Sequence, residues 1–243
     1  MFDPRIAVIE HRLSQVDNII AVSSGKGGVG KSVIASILAL ILAKKGFRVG
    51  LMDLDFTSPS THLILGAKDI FPEEKEGIVP PTVYGIKFMS IVYFSKDKAL
   101  SLRGQDFSDS FLEILAITRW GSLDYLILDM PPGINDATLD VVRYMKRVRF
   151  IIVTTPSLLS LSTVKKLLDS LHTSKVEVLG VIENMKIENS SSIGGHVEGT
   201  RFLGEISFDP YLEKCLGKVQ ELLSTKVFNE LEKIVDKMIY RNV

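Results

Sequence analysis

Short runs of hydrophobic residues recur along the chain, and most show no alternation between apolar and polar positions. Strands that are buried on both faces, as in a parallel sheet, produce this pattern. Glycine, proline or charged residues separate each run from the next. We predict six such strands and a weaker run that would add an edge strand: Ile19–Ser23, Arg48–Asp53, Ile86–Val92, Tyr125–Asp129, Phe150–Thr155, Val176–Glu183 and, at the edge, Phe202–Ile206.

Longer stretches with apolar residues at helical spacing lie between these runs. They predict helices over Lys31–Lys45, Asp109–Arg119, Ala137–Lys146, Leu161–Thr173, Pro210–Leu223 and Val227–Arg241. Strand and helix in alternation predict an α/β fold with a doubly wound, mostly parallel sheet, in a single domain over residues 1–243. Two segments are interpreted differently, because they are rich in turn-forming residues: Gly66–Gly85 as an irregular excursion and Lys186–Arg201 as a mobile loop.

Composition excludes several classes of protein. Hydrophobic residues make up 46% of the chain, and 29 basic residues balance 29 acidic ones. These values argue against an intrinsically disordered chain and against nucleic-acid binding through overall charge. The longest apolar run, Val33–Ala43, is shorter than the roughly 20 residues that span a bilayer. With the single cysteine, Cys215, and no signal-peptide pattern, we expect a cytoplasmic protein that binds neither nucleic acid nor membrane.

The last predicted helix raises the question of membrane binding separately. It places apolar side chains on one face, which would suit either packing on the domain or adsorption to a lipid surface. Acidic residues are mixed with its lysines, so packing on the domain is the favoured interpretation.

The strongest motif is Gly25-Lys26-Gly27-Gly28-Val29-Gly30-Lys31-Ser32, which matches G-x-x-x-x-G-K-[ST]. It follows a predicted strand and opens a predicted helix, the context that a phosphate-binding loop requires. The glycines let backbone N–H groups turn toward phosphate oxygens, and the helix start adds free N–H groups. We therefore expect Lys31 to reach the β- and γ-phosphates of ATP and Ser32 to ligate Mg²⁺. A chance glycine-rich turn is the alternative, and the flanking strand and helix argue against it.

Three aspartates end or follow predicted strands. Asp53 ends one strand, Asp55 lies two residues further on, and Asp129 ends another. Ligands of such sheets bind at the carboxyl ends of the strands, so we expect these carboxylates near the phosphate loop. Asp129 fits the Walker B pattern, whose carboxylate binds Mg²⁺ directly or through water. Two interpretations of Asp53 and Asp55 stay open. They hold a metal-bound water or orient an attacking one, or they cap a helix that begins near Ser58–Ser60.

Together these motifs resemble those of the deviant Walker A ATPases, the MinD/ParA/Mrp group of P-loop NTPases. Within that group the chain is most similar to the Mrp/ApbC family of iron–sulfur cluster carrier ATPases. The resemblance runs from about Ile19 to Pro210. Besides the phosphate loop, it rests on Asp53-Leu54-Asp55 with Ser58-Pro59-Ser60, Arg103-Gly104, Arg119-Trp120-Gly121, Asp124-Tyr125, Asp129-Met130-Pro131-Pro132-Gly133, Thr154-Thr155-Pro156, Gly180-Val181-Ile182-Glu183-Asn184-Met185 and Asp209-Pro210.

The resemblance implies roles that spacing alone does not predict. Lys26 would be the signature lysine, which in relatives crosses a dimer interface to the partner's nucleotide, much as an arginine finger does. Asp55 would position the attacking water, and Asp53 would support Mg²⁺. Asn184 and the Asp209–Pro210 turn would lie at the adenine. The candidate catalytic residues are therefore Lys26, Lys31 and Asp55, and the candidate metal ligands are Ser32, Asp53 and Asp129.

The chain departs from the family pattern at two places. Val33 stands where relatives usually have threonine, which removes a hydroxyl near the α-phosphate. The segment Lys186–Ser192 has no cysteine, although many Mrp-type carriers have a Cys-x-x-Cys pair there. Because thiolates ligate iron–sulfur clusters, we do not expect a cluster held in the manner of those carriers.

We expect a homodimeric, Mg²⁺-dependent ATPase that serves iron–sulfur cluster assembly together with a client or partner protein. Two alternatives stay open. One is a positioning or partitioning switch of the MinD/ParA kind, in which ATP controls binding to DNA or membrane. The other is a regulatory nucleotide-binding module with little turnover.

Overall fold

The structure is a computed structural model that describes residues 3–95, 105–188, 192, 197 and 199–240. Two parts of the sequence interpretation fall outside these ranges. Arg103 and Gly104, which contribute to the family resemblance, are not among the described residues. The same holds for residues 189–191, 193–196 and 198 of the predicted loop.

Helices and strands alternate through most of the described chain. The helices are α1 (Pro4–Leu13), α2 (Lys31–Lys44), α3 (Thr61–Ile64), α4 (Val92–Ser95), α5 (Gln105–Ile117), α6 (Asp136–Tyr144), α7 (Leu158–Thr173), α8 (Leu212–Cys215), α9 (Val219–Leu222) and α10 (Lys226–Tyr240). The strands are β1 (Val16–Ser24), β2 (Val49–Asp53), β3 (Glu73–Glu74), β4 (Ile78–Val79), β5 (Thr82–Val83), β6 (Ile86–Ser90), β7 (Leu123–Asp129), β8 (Val148–Thr154), β9 (Glu177–Lys186) and β10 (Phe202–Ser207).

The main sheet of the described chain has the strand order β10-β9-β8-β1-β7-β2-β6-β5. Its neighbouring strands are parallel except for β5 and β6. From β1 the chain moves outward to β2 and β6, returns to insert β7 between β1 and β2, and continues on the other side of β1. This reversal confirms the predicted doubly wound, mostly parallel α/β sheet. The carboxyl ends of β1, β7 and β2 meet where the strand order reverses, which is where such sheets bind ligands.

Helices cover the sheet on both faces and form two hydrophobic clusters. One cluster includes residues of α1, α5, α6 and α7, and the other includes residues of α2, α9 and α10. Within β1, Ile19 and Ala21 belong to the first cluster, whereas Ile20 and Val22 belong to the second. Burial on both faces is the physical reason why the strand sequences do not alternate.

The predicted helix over residues 210–223 is wrong, because α8 and α9 are separate there. Gly217 lies between them with φ of +78°, in the left-handed region that ends a helix. Its N–H donates to the Ile64 carbonyl at 3.0 Å, so a contact with the end of α3 accompanies the break.

Two further parts of the sequence interpretation need correction. The excursion Gly66–Gly85 is not wholly irregular, because β3 pairs with β4 and β5 pairs with β6, both antiparallel. Helix α1 was not predicted, although the sequence carries its start signal. The Asp3 carboxylate accepts a hydrogen bond from Arg5 N at 2.9 Å, and Pro4 occupies the first position of the helix.

The amphipathic helix α10 packs on the domain, as the favoured interpretation predicts. Its apolar face is buried in the cluster that α2 shares, and Lys44 of α2 lies 3.6 Å from Glu232. In the described ranges, none of the helices combines the length and the apolar character that crossing a membrane would require.

Candidate nucleotide-binding site

The glycine-rich loop connects the end of β1 to the start of α2, in the position that the motif predicts. Gly30 precedes α2 with φ of +80°, which favours glycine. The loop borders a cavity of about 320 Å³. Its lining residues in the described chain are Ser24, Lys26, Gly27, Gly28, Val29, Gly30, Lys31, Ser32, Val33, Asp55, Ser60, Leu63, Ile64, Pro132 and Leu216.

The first turn of α2 directs backbone N–H groups toward this cavity. The helical hydrogen bonds begin with Ile34 N, which donates to the Gly30 carbonyl at 3.0 Å. The N–H groups of Lys31, Ser32 and Val33 precede that bond and therefore have no acceptor within the helix. Such groups, with the positive end of the helix dipole, form a favourable environment for phosphate oxygens.

Carboxylates lie at the carboxyl ends of β7, which neighbours β1, and of β2, the next strand of the sheet. The register of β2 and β7 places Asp53 directly opposite Asp129, and both residues are fully buried. Asp55 is 8% exposed and lines the cavity. The structure therefore brings the three predicted aspartates to the same edge of the sheet as the phosphate loop.

Lys31 forms a buried ion pair with Asp129. Its Nζ contacts Asp129 Oδ1 and also donates to Ser32 Oγ at 3.2 Å, and only 6% of the Lys31 side chain is exposed. The lysine expected at the phosphates thus neutralises the Walker B aspartate in this structure. Binding of a phosphate chain at Lys31 requires that this contact be exchanged or shared.

Asp53 and Asp55 accept hydrogen bonds from the segment that follows β2. Asp53 Oδ2 accepts from Ser60 N at 3.1 Å and from Thr61 N and Oγ1 at 3.2 and 2.6 Å. Asp55 Oδ1 accepts from Thr57 Oγ1 at 2.8 Å and from Ser58 N at 3.1 Å. Asp53 therefore caps the start of α3, one of the two interpretations that the sequence leaves open, and this contact coexists with its position beside Asp129.

Burial makes the negative charge of this site costly. Burial raises the pKa of Asp53 to about 7, and the neighbouring charge of Asp129 acts in the same direction. Burial also raises the pKa of Asp129, although the ammonium group of Lys31 opposes that shift. A cation bound here would compensate these carboxylates.

The donor set fits Mg²⁺ bound together with a nucleotide. Carboxylate and hydroxyl oxygens are the ligands that Mg²⁺ prefers, and Asp129 Oδ2 is buried with no hydrogen-bond partner in the described structure. Among the described residues, no three His, Cys, Asp or Glu side chains converge as a metal cage would require. Mg²⁺ in nucleotide sites keeps several waters and phosphate oxygens as ligands, so one or two protein carboxylates suffice.

Lys26 and Gly25 have different surroundings at the start of the loop. Lys26 is half-buried beside the cavity, and its ammonium group makes no ion pair within the described residues. Gly25 packs closely against α7, since a Cβ at this position would lie 2.5 Å from Thr163 Oγ1. The Lys26 ammonium group therefore has no counter-charge within the described residues, whereas Gly25 shapes the loop.

The residues predicted at the adenine do not line this cavity in the described structure. Asn184 is buried and its Nδ2 donates to the Val29 carbonyl at 2.9 Å. Pro210 is exposed, beside an Asp209 carboxylate that accepts from Tyr211 N at 2.9 Å and from Lys226 N at 3.1 Å. Contacts of Asn184 and Pro210 with adenine therefore stay predictions.

Several further residues line the cavity, of which Ser60 and Pro132 belong to motifs that carry the family resemblance and the apolar ones were not identified from the sequence. Ser60, Leu63 and Ile64 come from the segment after β2, Pro132 follows β7, and Leu216 follows α8. The apolar members carry no motif, because leucine and isoleucine at such positions are indistinguishable from core residues. Cys215 is partly exposed next to Leu216, and its Sγ lies 3.4 Å from the Tyr211 carbonyl.

Comparison with known proteins gives consistent results. The ParA family model, described as NUBPL iron-transfer P-loop NTPase, matches residues 15–242. A Rickettsia felis protein named iron-sulfur cluster carrier protein is 40% identical over 190 residues, which are 77% of this chain and 59% of that protein. A protein of the same name from Aquifex aeolicus is 32% identical over 253 residues, 94% of this chain and 70% of that protein. The chain thus spans about three fifths of the length of the Rickettsia relative.

One solved structure covers nearly the whole chain. It is a nucleotide-binding protein from Archaeoglobus fulgidus in complex with ADP, with Co found in it. Its sequence is 31% identical, its TM-score is 0.78, and the match covers 93% of this chain and 96% of that one. That protein therefore has a closely similar fold.

Proposed function

Because this chain belongs to the family of NUBPL iron-transfer P-loop NTPases, we propose that residues 1–243 act as one domain that binds and hydrolyses Mg²⁺-ATP. Membership also confirms the resemblance to the Mrp/ApbC family that the motifs indicate. One observation carries the proposal. The glycine-rich loop, Lys31 and Asp55 line one cavity of about 320 Å³, and the Lys31 ammonium group pairs with the buried carboxylate of Asp129.

The phosphate chain of ATP would occupy the loop between Gly25 and Val33. Lys31 would transfer its contact from Asp129 to the β- and γ-phosphates, because its ammonium group neutralises their negative charge once ATP is bound. Asp129, Ser32 and Asp53 would hold Mg²⁺ directly or through water, and the ion would neutralise charge on the phosphates. The freed carboxylate of Asp129 would thus gain a new counter-charge.

Hydrolysis would proceed by addition of water to the γ-phosphorus while the bond to the β–γ bridging oxygen breaks. Asp55 would accept a hydrogen bond from this water and orient it. The support for this role is the position of Asp55 on the cavity wall, with its carboxylate held by the turn at Thr57 and Ser58.

We further propose that ATP stabilises a homodimer in which Lys26 contacts the partner's nucleotide. Two observations support an interface at this edge of the sheet. Lys26 has no ion-pair partner among the described residues, and large apolar side chains lie exposed after β7, β8 and β10. These side chains are Ile134, Leu158, Leu159 and Phe208, of which Leu158 is 86% exposed. Burial of such side chains against a second copy would stabilise the dimer.

The link to iron–sulfur metabolism follows from the relatives named iron-sulfur cluster carrier protein. We propose that this chain supplies an ATP-driven conformational change to a partner or client that owns the cluster ligands. The chain has one cysteine, so a dimer has two, whereas a [2Fe–2S] or [4Fe–4S] centre normally takes four thiolates.

Anaerobic reconstitution with iron and sulfide, followed by desalting and iron analysis, tests the cluster part of this proposal. We expect near-zero retention of iron and sulfide, with no difference between wild-type protein and Cys215→Ser. Stoichiometric retention that is lost in Cys215→Ser would contradict it and assign the carrier role to this chain itself.

Calorimetric titration and phosphate release test the ATPase proposal. Wild-type protein should bind ATP with Mg²⁺ and release phosphate, whereas Asp55→Asn should bind but turn over slowly. Phosphate release that is equal in the two proteins would indicate a contaminant or a different water-positioning group. Tight binding without release in the wild type would favour the regulatory module, and ATP-dependent retention on DNA or anionic vesicles would favour the positioning switch.

A further inference from the structure

Asn184 contacts the phosphate loop but is not among the described residues that line the cavity. The residue ends the buried part of β9 and is 4% exposed. Its Nδ2 donates to the Val29 carbonyl at 2.9 Å, and a Cβ on Gly30 would lie only 2.4 Å from the same nitrogen. The side-chain amide of Asn184 therefore lies directly against the peptide group that joins Val29 to Gly30.

The geometry of a peptide group gives this contact a consequence for the loop. In a planar trans peptide the C=O and the following N–H point in opposite directions. A Val29 carbonyl held by Asn184 therefore directs the Gly30 N–H away from Asn184. Val29 and Gly30 line the cavity, and Asn184 is not among its described lining residues.

A reversal of this peptide would have the opposite effect. The Val29 carbonyl would then point toward the phosphate oxygens, where its partial negative charge is unfavourable. Gly30 has no side chain and a φ of +80°, so its own conformational preferences do little to prevent such a reversal. The hydrogen bond from Asn184 to the Val29 carbonyl favours the orientation that the structure has.

We propose that Asn184 is a positioning residue, which holds the Val29–Gly30 peptide so that the Gly30 N–H is presented to the phosphate chain. The inference rests on the proposed nucleotide site and deepens it. It assigns Asn184 an effect on phosphate binding that does not depend on which base the ligand carries.

The other end of the loop is fixed in a comparable way. Gly25 packs against Thr163 of α7, and Ser24 Oγ donates to the Lys26 carbonyl at 2.9 Å. With Asn184 at Gly30, both ends of the loop are held before any ligand binds. Such preorganisation improves affinity because less conformational entropy is lost on binding.

The test compares ligands that share a phosphate chain but differ in the base. Calorimetric titrations with Mg²⁺-ATP, Mg²⁺-GTP and Mg²⁺-tripolyphosphate are made on wild-type protein, Asn184→Ala and Asn184→Asp. Because one hydrogen bond to the loop is lost, Asn184→Ala should weaken each ligand that the wild type binds by a similar factor, about 3- to 10-fold. Asn184→Asp should weaken them further, because an ionised carboxylate cannot donate to Val29 O and repels it.

Asn18 offers a matched control at the other end of the sheet. Its side chain donates to the Asp124 carbonyl at 3.0 Å and accepts from Arg149 Nη2 at 2.6 Å. Asn18→Ala removes comparable hydrogen bonds far from the loop, so it should lower the melting temperature without changing the dissociation constants. A loss of folded protein alone would lower the fitted stoichiometry and leave those constants unchanged. Asn184→Asp preserves the side-chain size and serves if the alanine variant is unstable.

Two outcomes would overturn the inference alone. One is a loss confined to ATP, with tripolyphosphate affinity unchanged, because Asn184 would then recognise the base. The other is unchanged affinity for every ligand in both Asn184 variants. A wild-type protein that binds none of the three ligands would instead overturn the proposed function, and the inference with it.

Discussion

The buried ion pair between Lys31 and Asp129 allows a prediction that separates folding from nucleotide binding. Lys31→Met keeps most of the side-chain volume but removes the positive charge. Asp129 then has a buried carboxylate without its cation, next to Asp53 on the adjacent strand. We expect the nucleotide-free protein to lose stability and the protein to lose affinity for ATP.

The size of the stability loss follows from two bounds. Removal of one partner of a buried ion pair typically costs about 3 to 5 kcal/mol. Asp129 can instead take up a proton, and for a carboxyl of ordinary pKa this costs about 4 kcal/mol at neutral pH. Because burial already raises the pKa of Asp129, the actual cost is smaller than that limit. We therefore expect a loss of about 3 kcal/mol, which for a chain of this length lowers Tm by roughly 10 °C.

Urea denaturation of the nucleotide-free protein measures this loss, and the double variant Lys31→Met/Asp129→Asn is its control. An amide at position 129 carries no charge, so the double variant should recover most of the stability. It should not recover affinity for ATP, because the phosphates still lack Lys31. The stability loss of Lys31→Met should also become smaller toward acidic pH, where Asp129 is protonated. A single variant as stable as the wild type, or a double variant less stable than the single one, would refute the reasoning.

Three further predictions concern the other charged residues of the site. Asp55→Asn should leave the dissociation constant for Mg²⁺-ATP nearly unchanged and slow phosphate release by about 100-fold or more, measured in a single-turnover assay; equal rates would remove its water-positioning role. Lys26→Ala should abolish the mass increase that a non-hydrolysable ATP analogue causes in light scattering; a wild type that stays monomeric with the analogue bound would contradict the dimer. Because the pKa of Asp53 is raised from 3.8 to about 7, the folded state binds a proton that the unfolded chain has released. Stability of the nucleotide-free protein should therefore fall from about pH 4 to about pH 7 in urea denaturation, and a fall of the same size in Asp53→Asn would exclude Asp53 as its source.

Local features of the fold could be predicted from the sequence because their causes are local. The apolar runs of the parallel strands were recognisable from the absence of alternation, and α2 was recognisable from its helical pattern. Helix α1 could also have been found, since Asp3 and Pro4 are a recognisable start signal. The break between α8 and α9 within residues 210–223 had a weaker sequence signal, the single glycine Gly217. In the structure the N–H of Gly217 donates to the Ile64 carbonyl.

The candidate site also has features that local sequence determines and features that depend on the tertiary structure. The sequence by itself determined the phosphate loop, the first turn of α2 and the presence of aspartates at strand ends, because consecutive residues on known elements form them. Only the tertiary structure decided that Asp53 lies opposite Asp129, that Lys31 pairs with a residue 98 positions away, and that Asn184 holds a peptide 155 positions away. Strand order sets these contacts, since β7 lies between β1 and β2 and β9 lies two strands away on the other side of β1. No local propensity encodes that order.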